Sequence, residues 1–113
     1  MINVFMDDYR KQPKGFVLAR TTEECLLLLR ECEVRILSLD YDMGPGDFSG
    51  GEVARRIVLE GLFPREIYLH TSSHRGRKEM YETLYPAISD AHLLHNGPLD
   101  PGRLAEIAER AEH

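Results

Sequence analysis

The chain has 113 residues, 42% hydrophobic and 29% charged; that leaves room for one hydrophobic core and excludes both a second domain and wholesale disorder. Fourteen Lys and Arg against 19 Asp and Glu give a formal charge of -5, which argues against broad, non-specific nucleic-acid binding but leaves room for a local basic patch. No apolar run approaches the ~20 residues needed to span a bilayer, and Met1-Ile2-Asn3-Val4-Phe5-Met6-Asp7-Asp8 lacks the basic start and long apolar stretch of a signal peptide. The expectation is a single cytoplasmic domain over residues 1–113 with no membrane partner.

Strand and helix periods alternate along the chain. Ile2 to Met6 is a short apolar run ending at Asp7-Asp8, which predicts a buried strand, and Phe16 to Ala19 predicts a second. Thr21 followed by Glu24 gives a capping box, and apolar residues at 25, 28, 29 and 32 then mark one helical face. Val34 to Leu39 reads as the third strand, ending in Asp40-Tyr41-Asp42, and Gly44-Pro45-Gly46-Asp47 as a loop. Ser49 and Glu52 form another capping box. They open a helix with Val53, Ala54 and Ile57 inward and Gly61 near its end. Ile67 to Thr71 predicts a fourth strand, and a helix from about Arg75 to Tyr85 stops at Pro86. Ala91 to His95 predicts a fifth strand. Asp100-Pro101 then caps a final helix with Leu104, Ile107, Ala108 and Ala111 on one face.

This order predicts an α/β fold: a five-stranded parallel sheet with helices on both faces, a three-layer sandwich. One connection is anomalous. The stretch from Asp8 to Gly15 is too short and too rich in Pro, Gly and charge for a crossover helix. Either the first two strands are not neighbours or an extended loop joins them. Cys25 and Cys32 are seven residues apart on the predicted helix, about 10 Å, too far for a disulfide. They read as buried, reduced thiols.

Ligands of open parallel sheets bind at the carboxyl ends of the strands. Those ends carry Asp7, Asp8 and Arg10, then Asp40 and Asp42, then His70, Thr71, Ser72 and Ser73, and lastly His95. Crowded carboxylates need a cation among them, and a hard divalent ion, Mg²⁺ or Mn²⁺, suits that donor type. The segment Ser72-Ser73-His74-Arg75-Gly76-Arg77-Lys78 is the densest run of positive charge and suits an anion if it opens a helix. His92 and His113 read as structural, while His95 stands beside the proposed site.

These strand ends resemble the receiver domain of two-component response regulators. That domain is flavodoxin-like, with an acidic pair after strand one, a phosphoacceptor Asp after strand three, Thr or Ser after strand four and Lys after strand five. Asp7-Asp8, Asp40 and Thr71 match, whereas His95 stands where the Lys is expected and the usual first helix is reduced or missing. A narrower resemblance spans nearly the whole chain. Met6-Asp7-Asp8-Tyr9-Arg10 with Pro13, Ser38-Leu39-Asp40-Tyr41-Asp42-Met43-Gly44, and Leu69-His70-Thr71 through Gly76 to Met80 are similar to the DD-x-R, SLDxDLG and HSxN…G…M motifs of cyclic-phosphate processing receiver domains. Thr71 stands for the family's Ser and Ser73 for its Asn.

The resemblance implies processing of cyclic phosphates, such as the 2′,3′-cyclic ends of RNA or nucleotides. On that reading Asp7, Asp8 and Asp40 hold Mg²⁺ or Mn²⁺ and Asp42 is a further ligand. His70 is the general acid or base beside Asp40. Arg10, Thr71 and Ser73 hold phosphate oxygens. The alternative is a degenerate receiver that serves as a signalling or protein-interaction module, with Asp40 phosphorylated or vestigial.

Overall fold

A computed structural model of the protein describes residues 1–88 and 93–111. Five parallel strands are present: β1 (Ile2–Met6), β2 (Val17–Ala19), β3 (Val34–Leu39), β4 (Glu66–Leu69) and β5 (Leu94–His95). Their spatial order is β2-β1-β3-β4-β5. Four helices connect or follow them: α1 (Thr22–Glu31), α2 (Gly50–Glu60), α3 (His74–Leu84) and α4 (Pro101–Ala111). This is the five-stranded parallel sheet expected from the alternating periods, in the flavodoxin-like arrangement that the receiver resemblance implies. The start predicted for the fifth strand at Ala91 lies outside the described residues, as do His92 and His113.

The anomalous connection is resolved by the second of its two readings. β1 pairs directly with β2, with Val4, Phe5 and Met6 opposite Val17, Leu18 and Ala19. No helix joins them, and an extended loop makes the parallel crossover. Gly15 carries that loop with a φ of 93°, and a Cβ there would come 2.9 Å from the Ile107 side chain of α4. Glycine is therefore demanded twice at this position, by the left-handed backbone and by the close approach.

The caps explain where the helices begin. Thr21 Oγ1 accepts from the Glu24 N–H at 3.0 Å, while Glu24 reaches back one residue further than a standard capping box, to the Arg20 N–H. Asp100 Oδ1 accepts from the Arg103 N–H at 2.9 Å, and Gly61 closes α2 in the left-handed region with φ 68°. Ser49 departs from expectation. It occupies the N-cap of α2 but makes no side-chain cap hydrogen bond, because its hydroxyl is turned to Tyr41. Cys32 is also corrected. Cys25 is buried but Cys32 is exposed, since it is the extended C-cap residue of α1 and no longer follows the helical phase.

The core has two unequal halves. Val4, Met6, Leu37, Leu39, Ile67 and Leu69 face α1, α2 and α3 through Cys25, Leu29, Val53, Ile57, Met80 and Leu84. The other face holds a smaller cluster of Phe5, Phe16, Ile36, Tyr68, Leu99 and Ile107. Phe16, from the end of the helix-free crossover, packs there edge-to-face with Phe5, ring centroids 6.3 Å apart. No helix among the described residues is long and apolar enough to cross a membrane.

Candidate active site

The strand period builds the site. Asp7 follows Phe5, Asp40 follows Ser38 and His70 follows Tyr68 by two residues, the spacing that keeps side chains on one face of a sheet. Phe5, Ser38 and Tyr68 are themselves in register across β1, β3 and β4. Asp7, Asp40 and His70 therefore meet beyond the carboxyl edge of three adjacent strands, with one ligand atom from each lying within 4.8 Å of the others. Asp7 and Asp40 flank the boundary between β1 and β3, where the strand order reverses.

Asp7 is almost fully buried, at 1% exposure. Its Oδ1 accepts from the Tyr9 and Arg10 N–H groups at 2.9 and 2.7 Å, and its Oδ2 lies 3.0 Å from His70 Nε2. Burial alone would raise this carboxyl. The Arg10 and Tyr9 N–H groups, with His70 behind them, outweigh burial and hold it below the usual carboxylate range. Asp7 is thus a fixed, ionised carboxylate.

Asp40 is half-buried and shifts the opposite way. Desolvation raises its carboxyl and the charge on Asp7 adds to the rise, against the Tyr41 N–H, the Thr71 hydroxyl and Arg10, which lower it. Two carboxylates at one sheet edge repel, and a cation relieves the repulsion. Asp7 and Asp40 have the oxygen donors that a hard divalent ion takes.

His70 is held on both sides. Ser38 Oγ lies 2.6 Å from Nδ1 and Asp7 Oδ2 lies 3.0 Å from Nε2, while the ring stacks on Phe5 at 4.2 Å and 7°. An ionised Asp7 can only accept, so Nε2 carries the proton and Nδ1 accepts from the Ser38 hydroxyl. Burial pushes the imidazole down to about 4, with Asp7 opposing, and it stays neutral at pH 7. Both ring nitrogens are thus engaged within the protein.

Arg10 supplies positive charge. Its Nη1 donates to the His70 carbonyl at 3.1 Å and lies 3.9 Å from Asp7 Oδ2. Thr71 is buried beside Asp40 and its Oγ1 accepts from the Ser73 N–H. Ser73 is the N-cap of α3, its hydroxyl accepting from the Gly76 N–H. Asp8 and Asp42 are exposed and stand outside the three-residue group. Asp8 lies against the β3–α2 loop, where a Cβ on Gly44 would come 3.0 Å from its Oδ2. Asp42 would share a face with Asp40 only in a continuing strand, and β3 ends at Leu39. His95 stacks its ring on Tyr68 at 4.2 Å and 6°.

Two glycines missed by the reading of individual site residues seat the site. A Cβ on Gly50 would fall 2.0 Å from the Asp40 carbonyl oxygen, and one on Gly76 would fall 2.3 Å from the Tyr41 ring. The bare helix starts of α2 and α3 thus close around Asp40-Tyr41. Gly76 and Met80 were visible only as parts of a motif. Ser38 lay inside the predicted third strand, with nothing local to mark its histidine partner 32 residues away.

A family model of cyclic-phosphate processing receiver domains matches residues 2–86. The chain belongs to that family. No curated protein matches it. The matched span contains the whole of this receiver domain's acidic site, from Asp7 through Asp40 and His70 to the start of α3, and ends before β5, where His95 stands.

Proposed function

We propose that this receiver domain opens cyclic phosphodiesters, the 2′,3′-cyclic phosphate ends of RNA or nucleotides, with a divalent cation held by Asp7 and Asp40. The observation that carries the reading is the convergence of an ionised buried carboxylate, a second carboxyl pushed upward and an arginine at the strand-order reversal of a family member. When bound, Mg²⁺ or Mn²⁺ polarises a phosphoryl oxygen and favours hydroxide in its water shell. In the reaction, water adds to phosphorus, one ring P–O bond breaks, and the released sugar oxygen takes a proton. Asp40, the less buried of the two acids, accepts the proton of the attacking water. Arg10 holds phosphate oxygens through its guanidinium, Ser73 donates to them from its hydroxyl, and Thr71 joins them when its one hydroxyl proton turns from Asp40 to the phosphate. Asp8 and Asp42 contribute negative charge at the rim. His70 is a positioning residue: it fixes the Asp7 carboxylate, as hydrogen bonds to ligating carboxylates commonly do.

The test is incubation of the purified protein with Mg²⁺ or Mn²⁺ and a 2′,3′-cyclic mononucleotide or a short RNA with a 2′,3′-cyclic end. Chromatography then follows the phosphomonoester. Wild type should open the ring, and Asp40→Asn should lose about a hundredfold or more. The reading falls if wild type leaves the ring of both substrates closed with either metal, or if Asp40→Asn matches it.

The Asp40–Thr71 hydrogen bond favours a second reading, a receiver that accepts a phosphoryl group on Asp40 and signals to a protein partner. Acetyl phosphate with Mg²⁺, followed by intact mass, should then show one phosphoryl adduct that disappears in Asp40→Asn. His95 weighs against this reading, because the ring at the expected Lys position is committed to Tyr68.

A further inference from the structure

The outer face of α3 begins at the site and leads away from it. Ser73 caps the helix, and Thr71 bonds both the Ser73 N–H and Asp40. Beyond that point His74, Lys78, Tyr81 and Tyr85 follow at helical spacings of four, three and four, one stripe on one face. From 74 to 85 the stripe is about 16 Å long. Arg77 joins its near end, with Nη2 3.0 Å from His74 Nδ1.

This stripe borders an open cleft of about 460 Å3 reaching Asn96, lined among the described residues by Arg75, Arg77 and Lys78 against one carboxylate, Glu82. Three cations to one acid among the described lining residues is a reversal in a chain whose net charge is -5. At the far end the Tyr81 and Tyr85 rings stack at 5.4 Å and 19°. Tyr81 leans on the core while Tyr85 is 51% exposed, a ring held from behind with an open face. Cations along a track and an aromatic platform at its end are the combination that holds single-stranded nucleic acid.

We infer that this face of α3 is the track for the RNA strand that precedes the cyclic phosphate, so that the substrate is an oligoribonucleotide end and not a mononucleotide. The inference rests on the cyclic-phosphate reading for the site at the head of the track. Charge complementarity and continuity with that site select the occupant. The phosphates lie along Arg77 and Lys78, and a base stacks on Tyr85.

The experiment has two arms. Turnover of a 2′,3′-cyclic mononucleotide is compared with that of a short oligoribonucleotide bearing the same end. In parallel, fluorescence anisotropy measures binding of the labelled oligoribonucleotide across a salt series. The oligomer should show a kcat/KM at least tenfold higher. The double variant Arg77→Glu with Lys78→Glu should erase that advantage while leaving mononucleotide turnover within about twofold, and should shallow the salt slope by about 0.7 per lost charge. Tyr85→Ala should weaken oligomer binding about tenfold with the salt slope unchanged. Equal kcat/KM for the two substrates, or unaltered binding in the double variant, overturns the track. If neither substrate turns over, the cyclic-phosphate reading fails, and the anisotropy arm still decides the track by itself.

Discussion

At the residue scale the site depends on atoms that are missing as much as on those present. Gly50 and Gly76 let two helix starts approach Asp40-Tyr41 more closely than any Cβ permits. At Gly50 the obstacle is a backbone carbonyl, which cannot rotate away, so Gly50→Ala must displace α2 or the Asp40 loop. At Gly76 it is the Tyr41 side chain, whose ring can turn although its Cβ, 2.8 Å away, cannot. Gly50→Ala should therefore cost about 3 kcal/mol and Gly76→Ala about 1–2 kcal/mol, within the usual range for overpacking. Urea denaturation of both variants checks the order. Equal stability of the Gly50 variant and wild type would refute the close approach. The reading of residues one at a time placed Asp7, Asp40 and His70 at strand ends, because apolar runs stop there visibly. It could not give their directions. Asp7 turns inward and Asp8 outward because neighbours in an extended chain point oppositely, and Asp42 leaves the face because the strand does not continue past Leu39.

At the element scale, helix starts and stops were legible where the cap chemistry is local. Thr21, Asp100 and Gly61 each act within a few residues of themselves. Ser49 was misread for the converse reason, since its hydroxyl is taken by Tyr41 rather than by its own helix. Asp47 shows the same non-local logic. It is in the β3–α2 loop, yet its Oδ1 accepts from the Thr22 hydroxyl at 2.6 Å and its Oδ2 from the Thr22 N–H at 3.0 Å. This clamps the loop beyond Asp40 to the first turn of α1. Burial raises the Asp47 carboxyl, but the two Thr22 donors and the Phe48 N–H outweigh it and hold it below the usual range. A depressed folded-state value gives stability that is present above the unfolded value and is lost as pH falls through the folded one. Asp47→Asn should thus be less stable than wild type by about 1 kcal/mol at pH 7. That gap should close below about pH 4. Urea midpoints measured from pH 7 to pH 3 test this, and a gap that stays constant over that range would refute the clamp.

At the scale of the whole molecule, the missing crossover helix makes the two faces unequal. Three helices cover one face, whereas the other has α4, Phe16 and a loop. Ile107 is the one buried residue among those described on α4, and α2 buries five. The thinner face is nevertheless the one tied to the site. Phe5 belongs to its cluster and stacks directly on His70, whose other contacts fix Asp7. Loosening that face should therefore loosen the site, while an equal loss of stability on the thicker face should not. Phe16→Ala removes the edge-to-face partner of Phe5 and should cost about 3–4 kcal/mol. Ile57→Ala, in α2 on the opposite face, is the matched control, at about 2–4 kcal/mol. Native-state hydrogen exchange separates the two variants. The His70 N–H, bonded to the Leu39 carbonyl at 3.0 Å, should lose protection beyond the global change in Phe16→Ala. In Ile57→Ala it should fall only in step with global stability. Identical behaviour of that amide in both variants would show that the second face and the site open independently. Then the loop that replaces the helix would be mere closure of the sheet, with no part in holding His70 against Asp7.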